Sequence, residues 1–168
     1  MWNEIKEIFR KKPKKLLVVR TILELGLSIG NDEKIYCGEI EIPYSKLAKA
    51  LSIDRRVVIN TIKLILEHEN LKKIFIRIKP AGPSFEEIAK QPDSKFGLVE
   101  ISADPNTVGI IAKVSEIIAS EGVSIRQILA QDPELYPDPK LTIITEKPIT
   151  DITKKFLEVP GIKKVSIF

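Results

Sequence analysis

Apolar positions in the first half of the chain recur mostly at helical spacing. Trp2, Ile5, Ile8 and Phe9 give a short amphipathic helix that Pro13 ends or kinks, because proline supplies no amide hydrogen and clashes with the preceding turn. A second helix is predicted from about Lys14 to Ser28, with Gly30 at its C-terminal end. Lys34 to Ile42 alternates as a strand would. Tyr44 to Leu51 then reads as a short helix through Leu47, Ala48 and Leu51. Ser52 and Ile53 make a tight turn, and Asp54 can cap a longer helix reaching about Glu69, with Val58, Ile62, Ile65 and Leu66 facing the core. Leu71 to Lys79 reads as a strand.

Pro80 to Lys95 breaks the pattern. It carries Pro80, Pro83 and Pro92 and one short helical signal, where Ser84 and Glu87 have capping-box spacing. Beyond it the period switches repeatedly. Strands are predicted at Phe96 to Ser102, Val123 to Ala130, Leu141 to Thr145 and Val165 to Phe168, with helices at Val108 to Glu121 and Ile149 to Leu157. On the first of these helices Val108, Ile111, Val114 and Ile118 form the expected buried stripe. The order βαββαβ places both helices on one face of a four-stranded antiparallel sheet and leaves the other face open to solvent or a partner. The fold class is therefore α+β, organised as a mainly helical domain over 1–79, a linker over 80–95 and a βαββαβ domain over 96–168.

At 168 residues, 43% of them hydrophobic, the chain can bury a core in each half. No run of about 18 uncharged apolar residues occurs and the first residues lack a signal peptide's apolar stretch, which predicts a soluble, cytoplasmic protein with no membrane partner. The net charge of +4 conceals an asymmetry. Residues 1–80 hold 17 Lys and Arg against 10 Asp and Glu, and residues 81–168 hold 10 against 13. An excess of +7 in one half suits a polyanionic partner, and it also suits an unevenly charged surface with no partner.

Little catalytic chemistry is on offer. One cysteine and one histidine cannot form a disulfide or a four-ligand zinc site within the chain, and no cofactor motif is present. His68 reads as a helix-surface residue rather than a base, and Cys37 as a small core residue rather than a nucleophile. The expectation is a protein without enzymatic activity. The βαββαβ frame serves several functions, and residues choose among them. A ferredoxin needs clustered cysteines. An RNA-recognition module needs stacking aromatics on its central strands, and Leu141 to Thr145 has none. An acylphosphatase-like site needs an arginine and a glycine-rich loop after the first strand, and Ser102 to Gly109 contains no basic residue.

That loop ends in Asn106, Thr107, Val108 and Gly109, followed by IIAKVSEIIASEGVSI. The segment resembles the signature of the ACT domain, in which an Asp/Asn-x-Pro-Gly loop opens the first helix and a Gly-x-Asn-Ile type turn starts the second strand. The resemblance spans about 70 residues. It implies a ferredoxin-like domain that binds an amino-acid effector, with Asn106, Val108, Gly109 and Ser124 at the ligand-binding positions. Val108 stands where the family usually has proline, and Ser124 where asparagine is frequent. The physics agrees: glycine admits a ligand to the amides at a helix start, where the dipole favours a carboxylate, and Asn106 and Ser124 can hydrogen-bond the rest. The loop Gln131 to Lys140, with three prolines, can fold over such a site with Tyr136 as a lid contact or serve as a rigid surface connection.

Before the linker, the segment from Ile42 to Lys79 resembles a winged helix-turn-helix. By that resemblance Arg55, Arg56, Asn60 and Lys63 on the long helix face a DNA groove, and Lys72 and Lys73 charge a wing. Winged helices also act as docking modules, and Glu67 and Glu69 would repel phosphate. Together the two halves resemble archaeal-type regulators of amino-acid metabolism. They imply a DNA-binding homo-oligomer that senses an amino acid, or else a regulatory subunit that senses a metabolite and docks on a metabolic enzyme.

Overall fold

The structure, a computed structural model, describes residues 1–149 and 152–168. The chain divides into two compact units, Met1–Gly82 and Pro83–Phe168. Both mix helices with antiparallel sheet.

In the N-terminal unit, α1 (Trp2–Phe9) buries Trp2, Ile5 and Phe9, and Pro13 occupies the first turn of α2 (Pro13–Glu24), a position where its missing amide costs nothing. The second helix is shorter than its pattern predicts. It ends in a Schellman motif in which Gly26, at φ 62°, donates to the Leu23 carbonyl and Leu27 donates to that of Ile22. Gly26, and not Gly30, is thus the terminating glycine. Gly30 instead lies at the turn between β1 (Ser28–Ile29) and β2 (Ile35–Cys37).

Two further expectations fail here. The alternating run Lys34 to Ile42 is a hairpin of β2 and β3 (Ile40–Ile42), turned at Gly38 with φ 61° and paired Cys37 to Ile40, so the three strands form a small antiparallel sheet. Alternation across a tight turn looks like one strand, because the period of two continues on both sides. Leu71 to Lys79 is no strand either. Glu69–Phe75 is a helix, α5, whose Leu71 and Phe75, four positions apart, are both fully buried. That burial overrides the alternation of Ile74, Ile76 and Ile78, so no wing follows the long helix.

The helix-turn-helix itself is present. α3 (Tyr44–Ala50) buries Leu47 and Ala48, and α4 (Arg55–Glu67) buries Val58, Thr61, Ile62 and Ile65, with Leu66 half-buried. Ser52 between them takes a left-handed φ of 53°, donating to Lys49 while Ile53 donates to Ala48. Asp54 Oδ1 then accepts from the Arg56 amide at 2.7 Å and caps α4.

The C-terminal unit has the expected βαββαβ order: β4 (Gly97–Ala103), α7 (Ile110–Ser120), β5 (Ile125–Ala130), β6 (Lys140–Thr145), α8 (Thr153–Leu157) and β7 (Ile162–Ile167). Of the second predicted helix, Ile149 to Leu157, positions 150 and 151 lie outside the described residues. All pairings are antiparallel, in the order β5-β6-β4-β7. Val99, Ile101, Ile143, Val114, Ile118 and Phe156 form the core between sheet and helices. Val108 does not belong to the helical stripe: it precedes the helix and is 97% exposed, and Ile111 is 47% exposed, while Ile110 and Ile117 pack on the core in their place.

The sheet's second face is not left open along its whole length. A short helix, α6 (Glu86–Ala89), and its flanks lay Phe85 and Ala89 against Phe96, Leu98 and Ile144. Gln127 secures this strap with its side-chain amide, donating to the Pro83 carbonyl at 2.6 Å and accepting from the Phe85 amide at 3.1 Å. Arg126 stacks over the rings of Phe85 and Phe96. Ser84 accepts from Glu86 and not from Glu87, so the expected capping box does not form.

Gly26→Ala is expected to destabilise the N-terminal unit by about 1–3 kcal/mol, through left-handed strain and a methyl 2.8 Å from the Lys79 oxygen. Urea denaturation followed by circular dichroism measures it. An unchanged midpoint would contradict the termination assigned to Gly26.

Candidate functional site

Loop β4–α7 is built on Asp104. Its Oδ1 accepts from the Asn106 amide at 3.0 Å and from Asn106 Nδ2 at 3.2 Å, its amide donates to the Gly161 carbonyl, and its own carbonyl accepts from Thr107. Thr107 packs against Gly161, where a Cβ would meet Thr107 Oγ1 at 2.6 Å. Gly109 follows as the N-cap of α7 with φ 90°. That conformation turns the chain into the helix and leaves open space where a side chain would project, with no atom within 4 Å.

The first intrahelical bond of α7 runs from the Lys113 amide to the Gly109 carbonyl. Among the described residues the amides of Ile110, Ile111 and Ala112 therefore have no partner, and no acidic side chain occupies that turn. All three residues line a cleft of about 290 Å³ between this loop and the β5–β6 connection. Its walls are largely apolar, with Ile101, Ala103, Ala130 and Leu141 from the strands and Pro133 and Pro139 from the connection. The connection is closed by Gln131, whose amide donates to the Lys140 carbonyl and whose Oε1 accepts from the Lys140 amide at 3.0 Å.

Of the four ligand-binding positions expected from sequence, Gly109 lines the cleft. Asn106 is exposed beside it, with its amide committed to Asp104, and Val108 projects into solvent. Ser124 is exposed at the far end of α7, roughly 16 Å along the helix axis, and its carbonyl accepts from the Glu146 amide. One chain does not bring Ser124 to the loop. Tyr136 is half-buried and is not part of the lining. Asp104, Gln131 and Lys140 escaped the sequence reading, although the length of the Gln131 to Lys140 connection signalled that something was built there.

Lys140 stands at the rim of the cleft, and its charge is held by Glu100 on β4, Nζ to Oε2 at 3.1 Å. Lys90 after α6 approaches the other carboxylate oxygen at 3.5 Å. Burial works to raise the Glu100 carboxyl, but the two ammonium groups outweigh it and hold the group below the ordinary carboxylate range.

In the N-terminal unit, Arg56, Asn60 and Lys63 are exposed on α4, opposite its buried stripe, as the spacing implied. Arg55 is exposed at the start of α4 and lines a separate cleft with Lys34 and Tyr44, whose hydroxyl donates to the Glu33 carbonyl. Lys72 and Lys73 lie on α5 and not on a wing. Lys15 Nζ donates to the Asn60 carbonyl at 3.2 Å, a contact between α2 and α4 that no local pattern announces. His68 is exposed between α4 and α5, and Cys37 is half-buried in β2. Among the described residues no helix is long and apolar enough to cross a membrane, and no group of three or more His, Cys, Asp or Glu could hold a metal ion.

No protein-family model matches the chain, and no curated protein does. Among solved structures it is similar to a transcriptional regulatory protein from Pyrococcus furiosus, a member of the ASNC family, at 14% identity over 92% of this chain and 85% of that one, with a TM-score of 0.26. At that score the likeness bears on neither fold nor activity.

The Glu100 arrangement fixes an acid dependence. A carboxyl held low in the folded state contributes stability above its unfolded value, near 4.5, and loses it as pH falls through the folded value. Glu100→Gln should therefore lower the denaturation midpoint at neutral pH, and that deficit should shrink progressively as pH falls below about 4.5. A deficit that does not change with pH would show that the charge on Glu100 is irrelevant.

Proposed function

We propose that this protein is a regulator of amino-acid metabolism that binds an amino-acid effector in the C-terminal unit and DNA through the N-terminal unit. The observation that carries the reading is the cleft. Three unpartnered amides at the positive end of α7, reached past a glycine, suit a carboxylate, and the apolar walls suit a small aliphatic side chain. Ser124 reaches such a ligand only from a second copy of the chain, so this reading makes the protein a symmetric oligomer whose copies share the effector. The exposed Val108 and Ile111 beside the loop suit burial in such an interface.

DNA binding rests on the solvent face of α4, where arginine can read guanine, asparagine adenine, and lysine can hold phosphate. A ligand that stabilises one arrangement of the copies changes DNA affinity by no more than its differential affinity for those arrangements. The alternative, a subunit that docks on a metabolic enzyme, is favoured by Glu67, which shares the Arg56 face at helical spacing and opposes phosphate.

A thermal-shift screen of the twenty amino acids is expected to find an aliphatic effector. At 100 times its dissociation constant it should stabilise by roughly 2.7 kcal/mol. Gly109→Leu should abolish that shift, because the side chain fills the approach to the amides, while circular dichroism shows a folded protein. Unchanged affinity by calorimetry would place the effector elsewhere.

Arg56→Ala with Lys63→Ala should weaken binding to genomic DNA fragments and lower the salt slope by about 1 for each phosphate that is no longer neutralised. No binding by the parent at low salt would favour the docking subunit.

A further inference from the structure

The densest charge on the molecule lies outside the helix-turn-helix, where α1 gives way to α2. Lys11, Lys12, Lys14 and Lys15 fall within five positions interrupted only by Pro13. Lys11, Lys12 and Lys14 are exposed, and among the described residues none has an acidic partner. The acids nearest in sequence are engaged elsewhere: Glu7 pairs with Arg10, Glu4 accepts from Asn70, and Glu24 pairs with Arg20.

Beyond the one bond made by Lys15, folding gains nothing from this cluster. Its like charges repel, and two of them occupy the first turn of α2, which carries no acid and no side-chain cap, the reverse of what a helix dipole favours. The bond from Lys15 Nζ to the Asn60 carbonyl fixes where the cluster sits. Asn60 lies midway along the Arg56–Asn60–Lys63 face, and the lysine run, through Lys15 near the start of its second helix, touches the backbone of α4 within the same compact unit.

We propose that Lys11, Lys12 and Lys14 clamp the phosphate backbone of a DNA duplex beside the groove that α4 enters, a role that rests on the DNA-binding reading of α4. Flexible ammonium groups hold phosphates as point charges without reading sequence. A single strand is less suited to the surface, because the nearby rings, Trp2 and Phe9, are buried and offer no platform on which a base can stack.

The test is fluorescence anisotropy of the full chain with duplex genomic fragments over a range of salt, comparing the parent with K11A/K12A/K14A and K11R/K12R/K14R. The alanine variant is expected to bind all duplexes more weakly by a similar factor, with a log–log salt slope reduced by about 2–3, and the arginine variant to keep the parental slope. An alanine variant with the parental slope overturns the clamp. If Arg56→Ala with Lys63→Ala lowers the slope in the same assay, the α4 reading survives that failure. A parent that does not bind duplex at low salt overturns both readings. Tighter binding of single-stranded RNA than of duplex, abolished in the alanine variant, overturns duplex as the partner.

Discussion

Strand β4 is hydrogen-bonded along both edges, to β6 and to β7, and the C-terminal unit depends on that double pairing. β4 also buries side chains on both of its faces: Val99 and Ile101 pack towards the helices, and Leu98 packs under the strap. Glu100, on the strap side, is tolerated because two lysines reach it. The same pairing positions the loop that follows, since Asp104 is tied to Gly161 just before β7 begins. The cleft is a product of the sheet's register: its floor comes from β4 and β6, and its mouth from the segments that leave them.

How much of this was legible follows from the range of the interactions involved. The βαββαβ order, the α3–α4 pair and the Asp54 cap are local signals, written in periods of two and 3.6 and in one capping side chain, and the structure has them. Gly109 was legible as the glycine at the helix entry, while its left-handed φ of 90° and the helix start at Ile110 were not. The Asp104–Gly161 bond, the Lys140–Glu100 pair and the Lys15–Asn60 bond join residues whose neighbourhood is set by tertiary packing, and no spacing rule reaches across forty-five positions.

The misreadings are equally specific. Leu71 to Lys79 offers both a helical pair, Leu71 and Phe75, and a strand-like alternation, and periodicity alone cannot rank them. Burial against the rest of the unit decides for the helix, and that information lies outside the segment. The hairpin at Gly38 misled in another way, since a two-residue turn preserves the period of the strands it joins. In α7 Val114 and Ile118 are buried as the stripe requires, and only its N-terminal end fails, because Gly109 delays the helix start until Ile110 and Val108 is left in the loop.

The strap has a consequence for how the chain can be divided. Phe85 and Ala89 cover Leu98 and Ile144, and Gln127 grips the backbone from Pro83 to Phe85. A C-terminal fragment cut at Phe96, where the strand pattern starts, would shed this cover, bare an apolar patch and tend to aggregate. A fragment that starts at Pro83 keeps its sheet sealed, so proteases should find their cleavage sites ahead of that proline.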